Sequence, residues 1–239
     1  MGKIISIIGN KGGAGKTTLS HMVAHGLGLF GKHAAAILTD TYRDKLSKIG
    51  RAYVPVDARR PESLMKVVEG IAAARAWFGV IDGGGNRPEM DERLAAMSDL
   101  VILPFRESHE DIRALIRDLE RFPGAWAVPS QWPTNRWAEA AAQRGVNQLL
   151  GAWSHRILAP VYALGASKLL LQDTVSLPLP AALNNASREI ALQVLELLGI
   201  EIADDRWLNV RNSLMTPPAS QPLAAGPAIG VAEAVAEPV

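Results

Sequence analysis

Apolar residues along this chain fall into short, β-branched runs that alternate with stretches of helical spacing. Lys3 to Ile8 (KIISII) is such a run and reads as a buried parallel strand. From Lys16 the spacing changes to that of a helix, with Leu19, Val23, Leu27 and Phe30 near one face. Ala34 to Thr39 reads as a second strand, ending at Asp40. Ala52 to Val56 contains Pro55, which restricts it to an edge position. A helix opens at Arg60-Pro61-Glu62-Ser63 and runs to about Ala74. Trp77 to Ile81 is a strand, followed by a loop from Asp82 to Asn86, and Asp99 to Phe105 is the next strand. Ser108 caps a helix whose apolar stripe is Ile112, Leu115, Ile116 and Leu119. Ala125 to Val128 reads as a strand, Pro129 to Pro133 as a loop, Arg136 to Leu150 as a helix and Arg156 to Ala159 as a last strand. Ser187 to Leu198 forms a terminal helix, with Gly199 as its C′ residue.

Strands alternating with helices predict an α/β fold: a doubly wound, mostly parallel sheet with helices on both faces. Ligands of such sheets bind at the C-terminal ends of the strands. The loops after Ile8, Thr39, Ile81 and Phe105 are expected to converge there. Residues 1–214 make one domain on this reading. From about Met215 the chain is rich in Ala, Pro and Gly and lacks Lys and aromatic residues, so 215–239 is expected to be a disordered tail.

The chemistry is concentrated directly after the first strand. Lys11-Gly12-Gly13-Ala14-Gly15-Lys16-Thr17-Thr18 reads as a phosphate-binding loop in which Asn10 takes the place of the usual first glycine. Strand, glycine loop and helix follow in order, so free N–H groups and the positive end of the helix dipole face a phosphate. Lys16 is expected on the β/γ-phosphates, Thr17 on Mg²⁺, and the backbone from Gly13 to Thr18 around the phosphate oxygens. A second lysine, Lys11, is more cation than one such site needs, and points to a site completed by a second subunit.

The loop K-G-G-x-G-K-T-T resembles that of the ParA/MinD group of P-loop ATPases, which carry a deviant Walker A motif. Phe78 to Asp82 resembles the group's second acidic motif, and Leu100 to Pro104 resembles its following strand. The group commonly has Thr or Ser after that aspartate, where Gly83 stands here. The resemblance implies ATP and Mg²⁺ as ligands, with Asp82 as the acidic Mg²⁺ partner. It implies an ATP-sandwich homodimer in which Lys11 reaches the partner's γ-phosphate, in the manner of an arginine finger. It places Asp40 near the metal or the attacking water. The group's next aspartate is replaced by Tyr42, which leaves Asp44 as the candidate for that role. The loops Pro129 to Asn135 and Pro178 to Pro180 lie where the group holds the purine.

Composition narrows the field. There is no cysteine, which excludes a thiolate nucleophile and the cysteine-held cluster of electron-transfer members of the group. The start of the chain has no signal-peptide pattern and no apolar run is long enough to span a membrane, so a cytoplasmic, nucleoid-associated protein is expected. Nothing ahead of the first strand is expected to form a helix-turn-helix. His21 and His25 lie four apart on the first helix, but packing or solvation is the expectation for them rather than a metal.

Partition ATPases of the group bind DNA without sequence preference, through Lys and Arg contacts to phosphates. Net charge is only +1, so such a surface must be local. Arg117, Arg121 and Arg188 are the leading candidates, with Arg113, Arg136, Arg144, Arg156 and Lys168 behind them. The function the resemblance implies is partition of plasmid or chromosomal DNA with a ParB-like adaptor, powered by weak, partner-stimulated ATP hydrolysis. Two alternatives stay open: positioning of a non-DNA cargo, and an ATP-dependent ligase of the dethiobiotin or cobyrinic acid synthetase type. A membrane-cycling mode needs a basic amphipathic helix, and residues 216–239 are neither basic nor periodic.

Overall fold

Parallel pairing runs through every strand of the sheet. The computed structural model describes residues 1–40 and 45–202. Asp44 and the tail expected at 215–239 lie outside the described residues, as does the end of the domain placed at 214. The strands are β1 (Lys3–Ile7), β2 (His33–Leu38), β3 (Val54–Asp57), β4 (Trp77–Asp82), β5 (Leu100–Phe105), β6 (Trp126–Trp132) and β7 (Val161–Tyr162), in the spatial order β3-β2-β4-β1-β5-β6-β7. Each adjacent pair is parallel. The helices are α1 (Lys16–Leu29), α2 (Pro61–Ala73), α3 (Pro88–Ala96), α4 (His109–Arg121), α5 (Arg136–Leu149) and α6 (Ala181–Leu197).

Side chains alternate across the sheet, so each face has its own core. Ile5, Ile7, Phe78 and Val80 join Leu19, Val23 and Leu27 of α1 and Ile190 and Val194 of α6 on one face. Ile4, Ile8, Ile37 and Ile81 join Leu64 of α2, Leu94 of α3, Leu115 of α4 and Val146 of α5 on the other. The chain is therefore doubly wound, as expected. Pro55 sits in the edge strand β3, where a missing N–H is tolerated. Adjacent strands β1 and β4 send their following helices to opposite faces. That divergence opens the crevice in which doubly wound sheets bind ligands.

Helix ends follow the local chemistry. Ser108 caps α4, its side chain accepting from the Asp111 N–H at 3.1 Å. Asn135 caps α5 in the same way, through the Trp137 N–H. Gly199 closes α6 at φ +65°, with the Ile200 N–H on the Leu195 carbonyl at 2.9 Å.

Several elements differ from the sequence expectation. Helix α3 was not anticipated, because a nine-residue helix with Leu94 as its one fully buried apolar residue carries little periodicity. Strand β6 continues through Pro129 to Trp132, because pairing with β5 and β7 on its two sides holds it extended. The last strand is Val161–Tyr162 and not 156–159, where only Ile157 bridges to Ala127. Gly151–Arg156 and Gly165–Leu171 form 3₁₀ turns. Helix α6 begins at Ala181, ahead of the expected Ser187, since burial of Leu183 outweighs the low helix propensity of Asn184 and Asn185.

Helix α1 is buried nearly all round, not only along one stripe, because it lies between the sheet and α6. Small residues make this possible: a Cβ at Gly26 would stand 1.9 Å from the Ser187 carbonyl oxygen. His21 and His25 are packed in the core. His21 Nδ1 lies 2.6 Å from the Tyr53 hydroxyl and His25 Nε2 lies 2.9 Å from Asn184 Oδ1. No cluster of metal-ligating side chains occurs among the described residues.

Gly26→Ala is expected to lower unfolding free energy by about 2–3 kcal/mol, because backbone rather than a flexible side chain blocks the added methyl. Gly70→Ala, on the exposed side of α2 with open space around it, is expected to raise it by roughly 0.5–1 kcal/mol. Denaturant titration of the two variants checks both signs.

Candidate phosphate-binding site

At the C-terminal ends of β1 and β4 lies a cavity of about 280 Å³, lined by Gly12 to Thr18, Asp40, Asp82 to Gly85 and Gln131. The loop from β1 into α1 forms its floor. Gly13 and Gly15 take φ values of +79° and +91°, which side chains rarely adopt. Nothing lies within 4 Å of a Cβ built on Gly12 or Gly13, so the cavity meets bare backbone there. Gly15 is the N-cap of α1 and offers no side-chain cap, and no acidic residue occupies the first turn. The orphan N–H groups and the positive dipole end are thus left for an anion.

Strand β6 holds this loop from the side. The Ser130 hydroxyl donates to the Ala14 carbonyl. A Cβ on Gly15 would stand 2.9 Å from that hydroxyl and 3.1 Å from the Gln131 amide nitrogen. Gln131 has φ +51°, uncommon for a residue with a side chain, which turns the chain at the cavity rim. Opposite, Gly85 closes on the loop: its Cβ would lie 3.6 Å from Gly12 Cα and 3.7 Å from Lys16 Nζ.

Lys16 is 6% exposed, and its Nζ donates to the Lys11 carbonyl at 2.7 Å. Burial pulls its pKa down, while Asp91, Asp82 and Asp118 push it back up. Thr17 and Asp82 line the same cavity, and Asp82 is 1% exposed at the end of β4. Thr39 Oγ1 donates to the Asp82 carbonyl at 2.7 Å and fixes the strand end. A glycine-rich loop, a buried ammonium, a hydroxyl and two carboxylates fit a phosphate chain with a divalent cation. Thr17 and Asp82 are the residues that would hold the cation.

The structure brings together Gly12 to Thr18, Asp40 and Asp82, as expected. Lys11 stands apart. It does not line the cavity. Its Nζ instead lies 2.5 Å from Glu110 and 3.8 Å from Asp111, at the start of α4. The Glu110 hydrogen bond raises its pKa. Of the two segments expected at a purine, Pro129 to Asn135 reaches the cavity through Gln131, which lies near the end of β6 rather than in a loop. The Pro178 loop lines a different cavity, beside His25, Leu29 and Asn184.

The arginines proposed for DNA are dispersed. Arg117 is exposed on α4, whereas Arg121 pairs with Glu92 at 2.6 Å. Arg156 donates to carbonyls at the end of α4, including Pro123 at 2.6 Å, and so serves as a helix-end clamp. Arg188 is half-buried on α6.

Two functional-site residues escaped the sequence reading. Asp91 and Asp118 are 2% and 9% exposed and sit behind the loop, on α3 and α4. The Asn10 N–H donates to Asp118 Oδ2 at 3.0 Å. Burial pushes Asp91 up to about 6, against the pull of Lys16 and the Gly9 N–H, with Asp118 adding to the rise. No motif announces them; the signal is an acidic residue at an otherwise apolar helix position.

A raised carboxyl pKa makes the folded state bind more protons than the unfolded one between about 4 and about 6. The associated stability is present below that window and is lost as pH rises through 6. Asp91→Asn removes the loss. Its melting temperature is expected to match that of the wild type near pH 4 and to exceed it by roughly 5 °C near pH 7.5. Thermal melts across that range check the crossover.

No family model matches the chain, and no curated protein matches it. Solved structures do. MinD from Pyrococcus horikoshii OT3 in complex with Mg-ADP is similar at TM-score 0.60 and 16% identity, over 83% of this chain and 98% of that one. McdA from Cyanothece in complex with ATP is similar at TM-score 0.58 and 17% identity, over 84% and 97%. A plasmid partition protein from Borrelia burgdorferi is similar at TM-score 0.53 and 12% identity, over 82% and 99%. The described part of the chain therefore has the P-loop fold of these proteins, and its glycine loop occupies the ligand-binding edge of that fold.

Proposed function

We propose that this protein is a ParA/MinD-type ATPase that dimerises around ATP and positions cargo, with DNA partition as the specific task. The observation that carries this reading is the division of labour between the two loop lysines. Lys16 is buried against the cavity, whereas Lys11 extends out of it to the surface of α4. A lysine directed away from its own cavity supports a role in a neighbour's. The similar solved structures with Mg-ADP and with ATP support nucleotide as the ligand.

In this reading the loop backbone from Gly13 to Thr18 and the α1 dipole bind the phosphate chain, and Lys16 neutralises its β/γ end. Thr17 and Asp82 would hold Mg²⁺, which when bound neutralises charge on the phosphates. Asp40, at the cavity rim, orients the attacking water, and Asp44 is the further candidate for that role. Lys11 leaves Glu110 and meets the γ-phosphate of the partner subunit. ATP then favours the dimer through its differential affinity, and hydrolysis releases it. Little side-chain chemistry lines the cavity beyond the phosphate-facing groups, since Gly83, Gly84 and Gly85 form one wall. This favours a switch over a metabolic ligase, which must also recognise a second substrate.

DNA contact is assigned to Arg117 and Arg188, with Arg121 joining once it releases Glu92. The Borrelia plasmid partition protein with the same fold supports partition as the task, and a ParB-like adaptor is proposed with it as the stimulating partner. No helix among the described residues is long and apolar enough to cross a membrane.

Light scattering with Mg²⁺ and a non-hydrolysable ATP analogue tests the reading. The wild type is expected to double its mass. Lys11→Ala is expected to bind the analogue but stay monomeric, and Lys16→Ala to lose binding by about 100-fold. A wild-type protein that remains monomeric at saturation overturns the proposal. Binding of the dimer to arbitrary duplex DNA, weakening steeply with salt, checks the partition task.

A further inference from the structure

The pair of carboxylates behind the loop has no place in the chemistry above. Neither lines the cavity, and each comes from a different helix: Asp91 from α3 and Asp118 from α4. Buried carboxylates are disfavoured unless hydrogen-bonded and charge-compensated. Here the loop itself supplies the compensation. Asn10 donates its N–H to Asp118 at 3.0 Å, and Lys16 supplies the positive charge that acts on both carboxylates. Asp91 Oδ1 has no hydrogen-bond partner, so that carboxylate is only partly satisfied. Gly9 has φ +135°, and a Cβ there would stand 3.4 Å from Asp118 Oδ2, so the turn lies in van der Waals contact with the carboxylate.

We propose that Asp91 and Asp118 are positioning residues for nucleotide binding. Asp118 fixes the leading turn of the loop by its main-chain N–H, so that the N–H groups from Gly13 onward keep their aim at the phosphates. Asp91 sets the field beneath Lys16, holding the ammonium in place before an anion arrives and opposing the anion once it is there. This rests on the reading of the cavity as a nucleoside triphosphate site.

The groups facing Asp91 are Lys16 from α1, Asp118 from α4, Arg87 ahead of α3 and the Gly9 N–H. A bound triphosphate adds negative charge above them and favours the protonated carboxyl. Nucleotide affinity therefore rises as pH falls through the titration of Asp91, and an amide at that position removes the dependence.

The test is the dissociation constant of a fluorescent, non-hydrolysable ATP analogue with Mg²⁺, measured for four proteins. Asp118→Ala, which leaves the Asn10 N–H unpaired, is expected to weaken binding about tenfold. Asp118→Asn keeps an acceptor and is expected to recover most of that loss. Asp91→Asn is expected to bind roughly three- to tenfold tighter than wild type near pH 8 and equally near pH 5. Comparison with wild type cancels the titration of the nucleotide itself. Wild-type affinity in Asp118→Ala, with only a lowered melting temperature, reduces Asp118 to a structural role and overturns the proposal. An unchanged pH profile in Asp91→Asn also overturns it. If the wild type fails to bind the analogue, the nucleotide reading falls and this inference falls with it, a result distinct from binding that all four proteins share.

Discussion

A bare stretch of backbone at a helix start governs this site. Between β1 and α1 the chain must turn sharply while exposing N–H groups that no side chain covers. Left-handed geometry at Gly13 and Gly15 achieves the turn, and the absence of a capping side chain or first-turn acid on α1 keeps the positive end open. Every other feature of the site either holds that backbone still or adjusts its charge. Ser130 grips it from β6, Gly85 closes on it from the β4 loop, and the Asp118 carboxylate of α4 accepts from the N–H of its leading turn.

Charge balance follows from the same constraint. Lys16 is buried, and a buried ammonium needs compensation. Its own hydrogen bond goes back to a loop carbonyl, and the opposing charge comes from Asp82, Asp91 and Asp118 at longer range. The carboxylates offset part of the cost of burying the ammonium, while its single hydrogen bond to a loop carbonyl leaves it able to turn toward a stronger anion. Lys11 sits in the opposite situation. It is partly exposed and pairs with Glu110, an ion pair of the kind that is weak in water and easily exchanged. One lysine is held in the site of its own chain, and the other is loosely held outside it.

Packing ties the site to the rest of the fold through α1. The helix that presents its N-terminus to the cavity is sandwiched between the sheet and α6, and Gly26 lets α6 approach to van der Waals distance. A site floor built on so buried a helix does not shift independently of the core. At the cavity wall opposite, Gly83 is buried and Gly85 is exposed.

What the sequence alone determined is the chemistry whose signal is local. The glycine loop, its two lysines and Thr17 are contiguous, and their spacing between an apolar run and a helical period leaves one structural context. The alternation of strands and helices, the edge position of Pro55, the Ser108 cap and the Gly199 terminus are legible for the same reason. Tertiary structure alone decided whatever depends on residues distant in the chain. It extended β6 through Pro129 and moved the last strand to Val161–Tyr162, because strand pairing outweighs local propensity. It sent Lys11 to Glu110, 99 positions away. It also set Asp91 and Asp118 behind Gly9 and Asn10, since a carboxylate looks the same in sequence whether it faces water or closes beneath a loop. Burial, which separates those two cases, is a property of the folded molecule.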